Sequence, residues 1–193
     1  MIKKIQLLIL ISLSTLFFGC GATQEDIEVG DDGRDIYDMW DYMTPSNSFQ
    51  VEYDIYVDGR KDDYIIETMR VFDDNRVERE SDDGVTSLRL RRDAIEVREP
   101  DGTTIQVQRF VKIGDRDIFQ SSSSVGNCTL DDFYRRITLK GIEFYKVAHV
   151  ICKKRGTTNE FYYGFDEGIV ATYSDDNREI VELVKIDERD INR

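Results

Sequence analysis

The residues in this chain that could do chemistry are its single histidine and its three cysteines. His149 has apolar neighbours throughout residues 147–151, which predicts a buried strand and favours a structural role over general-base catalysis. His149 and Cys152 are three positions apart, so in a strand their side chains point to opposite faces. The sequence also has no G-x-S-x-G elbow. We therefore expect no catalytic residue and no enzyme.

Cofactor and metal motifs are absent from the sequence as well. It contains no phosphate-binding loop, dinucleotide fingerprint or EF-hand loop. Its cysteines and histidine show no CxxC or HxxxH spacing, so we expect no metal site and no cofactor. A cation site at Asp31 and Asp32 is a weaker alternative, because no D-x-[DN]-x-[DN]-G loop can be drawn there.

Cys20 closes an N-terminal segment with a recognisable order. Lys3 and Lys4 are followed by an apolar stretch, residues 5–18, and the whole segment ends in Leu16-Phe17-Phe18-Gly19-Cys20. This segment resembles the signal peptide of a bacterial lipoprotein precursor. The resemblance implies export, cleavage between Gly19 and Cys20, and a diacylglyceryl group on Cys20, with a further chain such as palmitate on its amine.

The lipid on Cys20 is the predicted attachment to a membrane. The apolar stretch is shorter than the ~20 residues that a spanning helix needs, so a tether is expected instead. Gly21 follows the cysteine where retained inner-membrane lipoproteins have aspartate, which favours the outer membrane, with the domain in the periplasm or at the cell surface. Ordinary secretion, with Cys20 left as a free thiol, is the alternative.

Cys128 and Cys152 are the thiols that remain once Cys20 carries lipid. In an exported chain they are expected to form a disulfide, the one connectivity open to them. Such a bond closes a loop of ~25 residues and adds about 3 kcal/mol of stability in the chain-entropy model. Free cysteines in a host with weak oxidative machinery, or a metal site, are the alternatives.

Charge and composition divide the chain into three parts. Residues 1–19 are the signal peptide, residues 20–34 an acidic flexible tether, and residues 35–193 a single β-rich domain. The formal net charge of −13 disfavours a nucleic-acid partner. The predicted partners of the protein are the membrane, through the lipid on Cys20, and an unknown envelope protein or lipid.

A short helix is predicted at the entrance to the domain. Its apolar residues recur at i, i+3, i+4 and i+7: Ile36, Met39, Trp40 and Met43. Asp35 is the expected N-cap, and Pro45 ends the helix. This face is expected to pack on a sheet, with a partner or a membrane surface as the alternatives.

Alternating strand patterns separated by turn residues, such as the turn predicted at Asp58-Gly59, fill most of the domain. The predicted strands are residues 49–57, 64–72, 77–80, 87–91, 94–98, 104–112, 144–153, 160–165, 168–173 and 179–187. Such closely spaced strands indicate a mainly β fold, a single strongly curved antiparallel sheet that forms a meander or half-barrel. One or two short helices pack on it, and Tyr and Phe are expected on its concave side.

The second of those helices is predicted between the two strand blocks. It has apolar residues at helical spacing: Leu130, Phe133, Tyr134 and Ile137. Thr129 is the expected cap.

A basic concentration lies at residues 89–92 and at Arg98. It could bind an anion or an acidic partner, but the alternation of leucine and arginine is also that of an ordinary half-exposed strand.

Two functions are compatible with these features. The first is a lipid-anchored binding or structural module of the cell envelope, acting through a sheet edge or loop. The second is a carrier of lipid or lipoprotein with an apolar cavity, as in the lipoprotein-carrier proteins of the periplasm. Residues 160–170 are similar to a strand–turn–strand segment of β-rich envelope lipoproteins. A filled interior would favour the first function, and a hollow one open to solvent the second.

Overall fold

The structure is a computed structural model that describes residues 28–29, 36–121, 126–154, 156–175 and 179–191. Cys20, the predicted signal peptide and the predicted cap Asp35 lie outside the described residues, as does the tether apart from Glu28–Val29. In the part of the chain that the structure describes, no helix has the length and apolar character needed to cross a membrane.

The described elements are one short helix and fifteen strands. The first half contains β1 (Glu28–Val29), β2 (Tyr37–Asp38), α1 (Met39–Met43), β3 (Phe49–Val57), β4 (Arg60–Phe72), β5 (Arg76–Ser81), β6 (Gly84–Leu90), β7 (Ala94–Arg98) and β8 (Thr104–Gln108). The second half contains β9 (Phe110–Val111), β10 (Phe119–Ser121), β11 (Asn127–Leu139), β12 (Ile142–Lys154), β13 (Thr157–Gly164), β14 (Gly168–Asp175) and β15 (Ile180–Asp190).

Within the described residues, thirteen strands form one antiparallel sheet, and β2 and β9 form a separate ribbon. The order is β1-β11-β12-β13-β14-β15-β3-β4-β5-β6-β7-β8-β10, so two meanders meet where β15 pairs with β3. The sheet is strongly curved and close to the shape of a barrel. The predicted fold class is confirmed.

Local turn chemistry sets the hairpins of this sheet. Between β3 and β4, Asp58 and Gly59 both have positive φ angles, 47° and 77°. Aspartate and glycine tolerate this left-handed backbone best, and two such residues in sequence match the twist of a tight hairpin. The predicted turn at this position is confirmed.

The two ends of the sheet approach each other at a seam. The segment before β10 bonds to β11: Gly114 N–H donates to Leu130 O at 2.7 Å, and Ile118 N–H donates to Cys128 O at 3.2 Å. Arg116 and Thr129 form an isolated antiparallel bridge between these hydrogen bonds. The seam therefore joins the segment that leads into β10, the last strand of one meander, to β11, the first long strand of the other.

The predicted disulfide is confirmed, and it lies beside this seam. Cys128 of β11 and Cys152 of β12 face each other in register and are covalently bonded. Both residues are buried in the main core. The bond therefore links the seam strand to its neighbour.

Helix α1 differs in detail from the prediction. Its N-cap is Asp38, whose Oδ1 accepts from Trp40 N–H at 3.1 Å, and its buried face includes Tyr42 as well as Met39 and Met43. Ile36 precedes the helix and is 51% exposed. The prediction was wrong by one turn because Tyr37 and Asp38 pair with β9 instead of entering the helix.

The predicted second helix is wrong: residues 127–139 form β11. A β-bulge between Leu130 and Asp132 inserts one residue, so the next inward side chain is Phe133, three positions on. Tyr134 and Ile137 are buried in a second apolar cluster, separate from the main core that contains Leu130 and Phe133. The bulge, together with burial in two separate clusters, therefore gives a strand the apolar spacing of a helix.

Candidate functional site

The curved sheet encloses a cavity of about 380 Å³. Its walls come from α1 and from strands β3 to β8, β10 and β13 to β15, so both meanders contribute. The volume lies within the range of about 300–1,000 Å³ that is typical of sites for small molecules. The interior is therefore hollow rather than filled.

One wall of the cavity is a row of branched aliphatic side chains. Leu88 of β6 pairs with Val97 of β7, which pairs with Ile105 of β8, and all three line the cavity. They share a face because residues in register on neighbouring strands point to the same side of a sheet. This wall is apolar and continuous across three strands.

A second part of the cavity wall is aromatic. The ring centroids of Phe119 and Phe161 are 6.4 Å apart, and those of Phe161 and Tyr163 are 6.1 Å apart in a stacked arrangement. Tyr53 also lines the cavity, but its hydroxyl donates to Ile169 O at 2.9 Å within the wall. The expectation of aromatic residues on the concave side is met at these four positions.

Helix α1 lies at one end of the cavity, where Met43 is part of the lining. Beyond it, Tyr37, Tyr42 and Phe133 form an aromatic cluster with centroid separations of 5.1–6.2 Å. Arg109 anchors this end by donating from Nε to both carboxylate oxygens of Asp38, at 3.0 and 2.9 Å. The same carboxylate caps α1, so one ion pair fixes the helix that closes this end.

The other end of the cavity is polar. Asp83, in the turn between β5 and β6, is exposed and marks the mouth. Behind it lie Glu67, Arg79, Thr86 and Glu99, and the Thr86 hydroxyl donates to Glu99 Oε2 at 2.9 Å. Burial raises the pKa of the Glu67 carboxyl, because its ionised form has lost most of its water.

Sequence reasoning missed the charged residues inside the cavity. Arg79 lies two positions after Val77 and Glu67 lies two positions before Met69, so strand alternation places each charge on an inward, apolar face. The signal available in the sequence was a charged residue at a strand position where alternation predicts an apolar one. Nothing else in the sequence separates these two residues from the many charged residues on solvated faces.

His149 lies in a strand and on the face of the sheet away from Cys152, both as predicted. Its ring stacks on Tyr162 with centroids 4.5 Å apart. Its Nε2–H donates to Glu160 Oε2 at 2.9 Å, which also accepts from the Tyr162 hydroxyl at 2.8 Å. Nδ1 faces the Tyr134 hydroxyl at 3.3 Å, and burial raises the pKa of Tyr134 to about 12. These contacts satisfy a buried histidine structurally.

The hydrogen bonds from His149 and Tyr162 hold the pKa of Glu160 below its ordinary value. The ionised carboxylate therefore stabilises the folded state above the unfolded pKa of about 4.3, and this contribution is lost as the pH falls through the lower folded pKa. We expect His149→Phe and Tyr162→Phe each to raise the Glu160 pKa, as measured by ¹³C NMR titration of its side-chain carboxyl. An unchanged pKa in both variants would contradict this assignment.

The predicted basic concentration lies on the outer face, around a shallow depression of about 290 Å³. Arg89 donates to Asp74 at 3.1 Å, and Arg91 donates to Glu96 at 3.2 Å. Leu88 on the same strand points inward. The alternation is thus that of a half-exposed strand, and Arg89 and Arg91 are each paired with a neighbouring acid.

No group of three or more His, Cys, Asp and Glu side chains among the described residues is arranged to hold a metal ion. The chain matches no protein-family model, and no curated protein matches it at a significant level.

Proposed function

We propose that the protein binds one acyl chain, or a similarly elongated apolar ligand, inside the curved sheet. The observation that carries this proposal is the cavity of about 380 Å³ with its aliphatic wall, its aromatic wall and its polar mouth. Binding sites for small molecules are commonly concave and mostly apolar, with a few polar groups that orient the ligand. Of the two functions compatible with the sequence, the lipid or lipoprotein carrier is therefore the better supported.

The methionines of the lining suit such a ligand. Met43 and Met69 both face the cavity, from α1 and from β4. Their unbranched, polarizable side chains adjust to irregular apolar shapes at little cost. A flexible acyl chain can therefore be accommodated without a single fixed conformation.

We propose that the carrier works at the outer membrane, tethered by lipid on Cys20, with its domain in the periplasm or at the cell surface. The lipoprotein-like segment that ends at Cys20 and the acidic stretch after it support this placement. We expect a clickable palmitate analogue fed to cells to label the wild-type protein and not a Cys20→Ser variant. Equal labelling of the two proteins would contradict anchoring at this residue.

Native mass spectrometry of the domain that begins at Gly21, purified from an oxidising periplasm, tests the carrier function. We expect a co-purifying fatty acid or phospholipid, or uptake of added palmitate after delipidation. A ligand-free mass that does not change on addition of lipid would contradict the proposal.

The second candidate, a binding module for an envelope protein, is favoured by one surface feature. Ile36, directly before β2, is 51% exposed, and Phe110 of β9 is 44% exposed. Ile113, two residues after β9, is 47% exposed. Exposed apolar side chains close together are typical of contact sites for other proteins. Crosslinking from these positions would identify such a partner.

A further inference from the structure

The polar end of the cavity is a row of side chains that crosses four strands. Met69 of β4 is in register with Arg79 of β5, which is in register with Thr86 of β6. Thr86 in turn donates to Glu99, just beyond β7. Glu67 lies two residues before Met69 on the same face of β4. The lining therefore changes from an apolar to a polar side chain over two residue positions: Met69 to Glu67, Leu88 to Thr86, and Val97 to Glu99.

The charges in this row are only loosely engaged with each other. Arg79 Nε lies 3.8 Å from Glu67 Oε2, beyond hydrogen-bonding distance. Across the described ranges of the chain, Arg79 and Glu67 have no hydrogen-bonding side-chain partner. Yet Arg79 carries five N–H donors, and the Glu67 side chain is only 11% exposed. Both groups thus retain hydrogen-bonding capacity towards the cavity.

The balance of charge restricts the head group that fits. One guanidinium, Arg79, stands among three carboxylates: Glu67, Asp83 and Glu99. A simple anion placed at Arg79 would also meet the carboxylates, and a simple cation placed among the carboxylates would meet Arg79. A head group with both signs pairs with each set at once. A guanidinium is well suited to phosphate, since it offers parallel donors to two oxygens.

We infer that the cavity takes a single-chain phospholipid with a zwitterionic head group, its phosphate at Arg79 and its ammonium among Glu67 and Glu99. Its acyl chain then lies between the aliphatic wall around Val97 and the aromatic wall around Phe161. This inference rests on the proposed function and adds the class of ligand. It also gives a role to the charged residues that line an otherwise apolar space.

Four probes with the same palmitoyl or hexadecyl chain separate the head groups. They are lysophosphatidylethanolamine, lysophosphatidylcholine, palmitate and hexadecylamine, each added to the delipidated domain below its critical micelle concentration. Displacement of a fluorescent fatty-acid analogue gives the relative affinities. We expect the two zwitterionic lipids to bind about tenfold or more tightly than either singly charged probe, as one additional charge-assisted contact would produce.

Charge-removing variants test which group meets which part of the ligand. Arg79→Gln should weaken the zwitterionic lipids about tenfold and should not weaken hexadecylamine. Glu67→Gln should weaken both the zwitterionic lipids and hexadecylamine, and should not weaken palmitate. Arg70→Gln and Glu80→Gln are matched controls, because these residues pair with each other on the outer face of β4 and β5. They should leave every affinity unchanged.

The outcomes separate this inference from the proposed function. If all four probes bind equally and the variants have no effect, the head-group inference is overturned while an acyl-chain carrier stands. If palmitate alone binds tightly and only Arg79→Gln weakens it, the ligand is a plain anion and the inference is again overturned. If the folded wild-type domain takes up none of the probes, both proposals fail. Circular dichroism of each variant confirms that the fold is retained.

Discussion

Replacing Leu88 and Ile105 together by tryptophan is expected to remove ligand uptake from an otherwise folded domain. Both residues face the cavity from β6 and β8, on either side of Val97. Two indole rings there occupy the space that we assign to the acyl chain. A lipid would then have to enter a space that is already filled, and such overpacking costs about 1–3 kcal/mol per site. The affinity for palmitoyl lysophosphatidylethanolamine should fall at least about thirtyfold.

The control for this variant places the same two rings on the outer face of the same strands. Ser87 precedes Leu88 and Gln106 follows Ile105, so strand alternation points both side chains away from the cavity. Ser87→Trp with Gln106→Trp should bind lipid as the wild type does. Equal loss of binding in the inward and outward variants, or full binding by the inward one, would show that ligand does not occupy this space.

Loss of the disulfide is expected to produce the largest change in stability. The bond between Cys128 and Cys152 spans 24 positions in sequence, for which loop closure predicts about 3 kcal/mol. The Cys128→Ala, Cys152→Ala double variant should therefore unfold at a temperature roughly 6–12 °C lower than the wild type. Thermal unfolding followed by circular dichroism measures the difference.

Reductant provides the matched comparison. A reducing agent should lower the unfolding temperature of the wild type to that of the double variant and should leave the variant itself unchanged. Because the bond lies beside the seam between residues 114–118 and β11, we also expect faster lipid exchange without it. A wild type that is insensitive to reductant, with both cysteines accessible to alkylation, would contradict the structural role of this bond.

The strands and hairpins were readable from the sequence because their determinants are local. Residues 94–98 alternate inward and outward side chains, and the predicted strand has the observed bounds. Turns such as Asp58-Gly59 are set by the backbone preferences of two residues. These features need no knowledge of which strands pair at a distance.

Features that depend on non-local contacts were not readable. The β-bulge near Asp132 arises from pairing of β11 with β12, and it made a strand look helical. The cap of α1 moved from Asp35 to Asp38 because β9, far along the chain, takes Tyr37 and Asp38 as partners. A pattern of apolar residues records the spacing of buried side chains but not the partner that buries them.

The cavity itself could be named only as an alternative from the sequence. Its existence depends on the pairing of β15 with β3, which joins the two meanders into one curved sheet. Its polar end depends on a register that brings Arg79 between Met69 and Thr86. The same apolar alternation would suit a filled interior, since side-chain pattern does not determine the distance between opposite walls.

Methyl NMR of the domain that begins at Gly21 tests the central claim most directly. Of the four methionines in the full chain, this domain contains Met39, Met43 and Met69. Met43 and Met69 line the cavity, whereas Met39 is fully buried outside it. The domain is labelled with ¹³C at the methionine methyl groups and titrated with palmitoyl lysophosphatidylethanolamine and, in parallel, with palmitate. Each lipid should shift the Met43 and Met69 signals and give nuclear Overhauser contacts between these methyl groups and the acyl chain. The Met39 signal should remain in place. Binding of either lipid that leaves Met43 and Met69 unperturbed, or no binding at all, would contradict a carrier whose ligand lies inside the sheet.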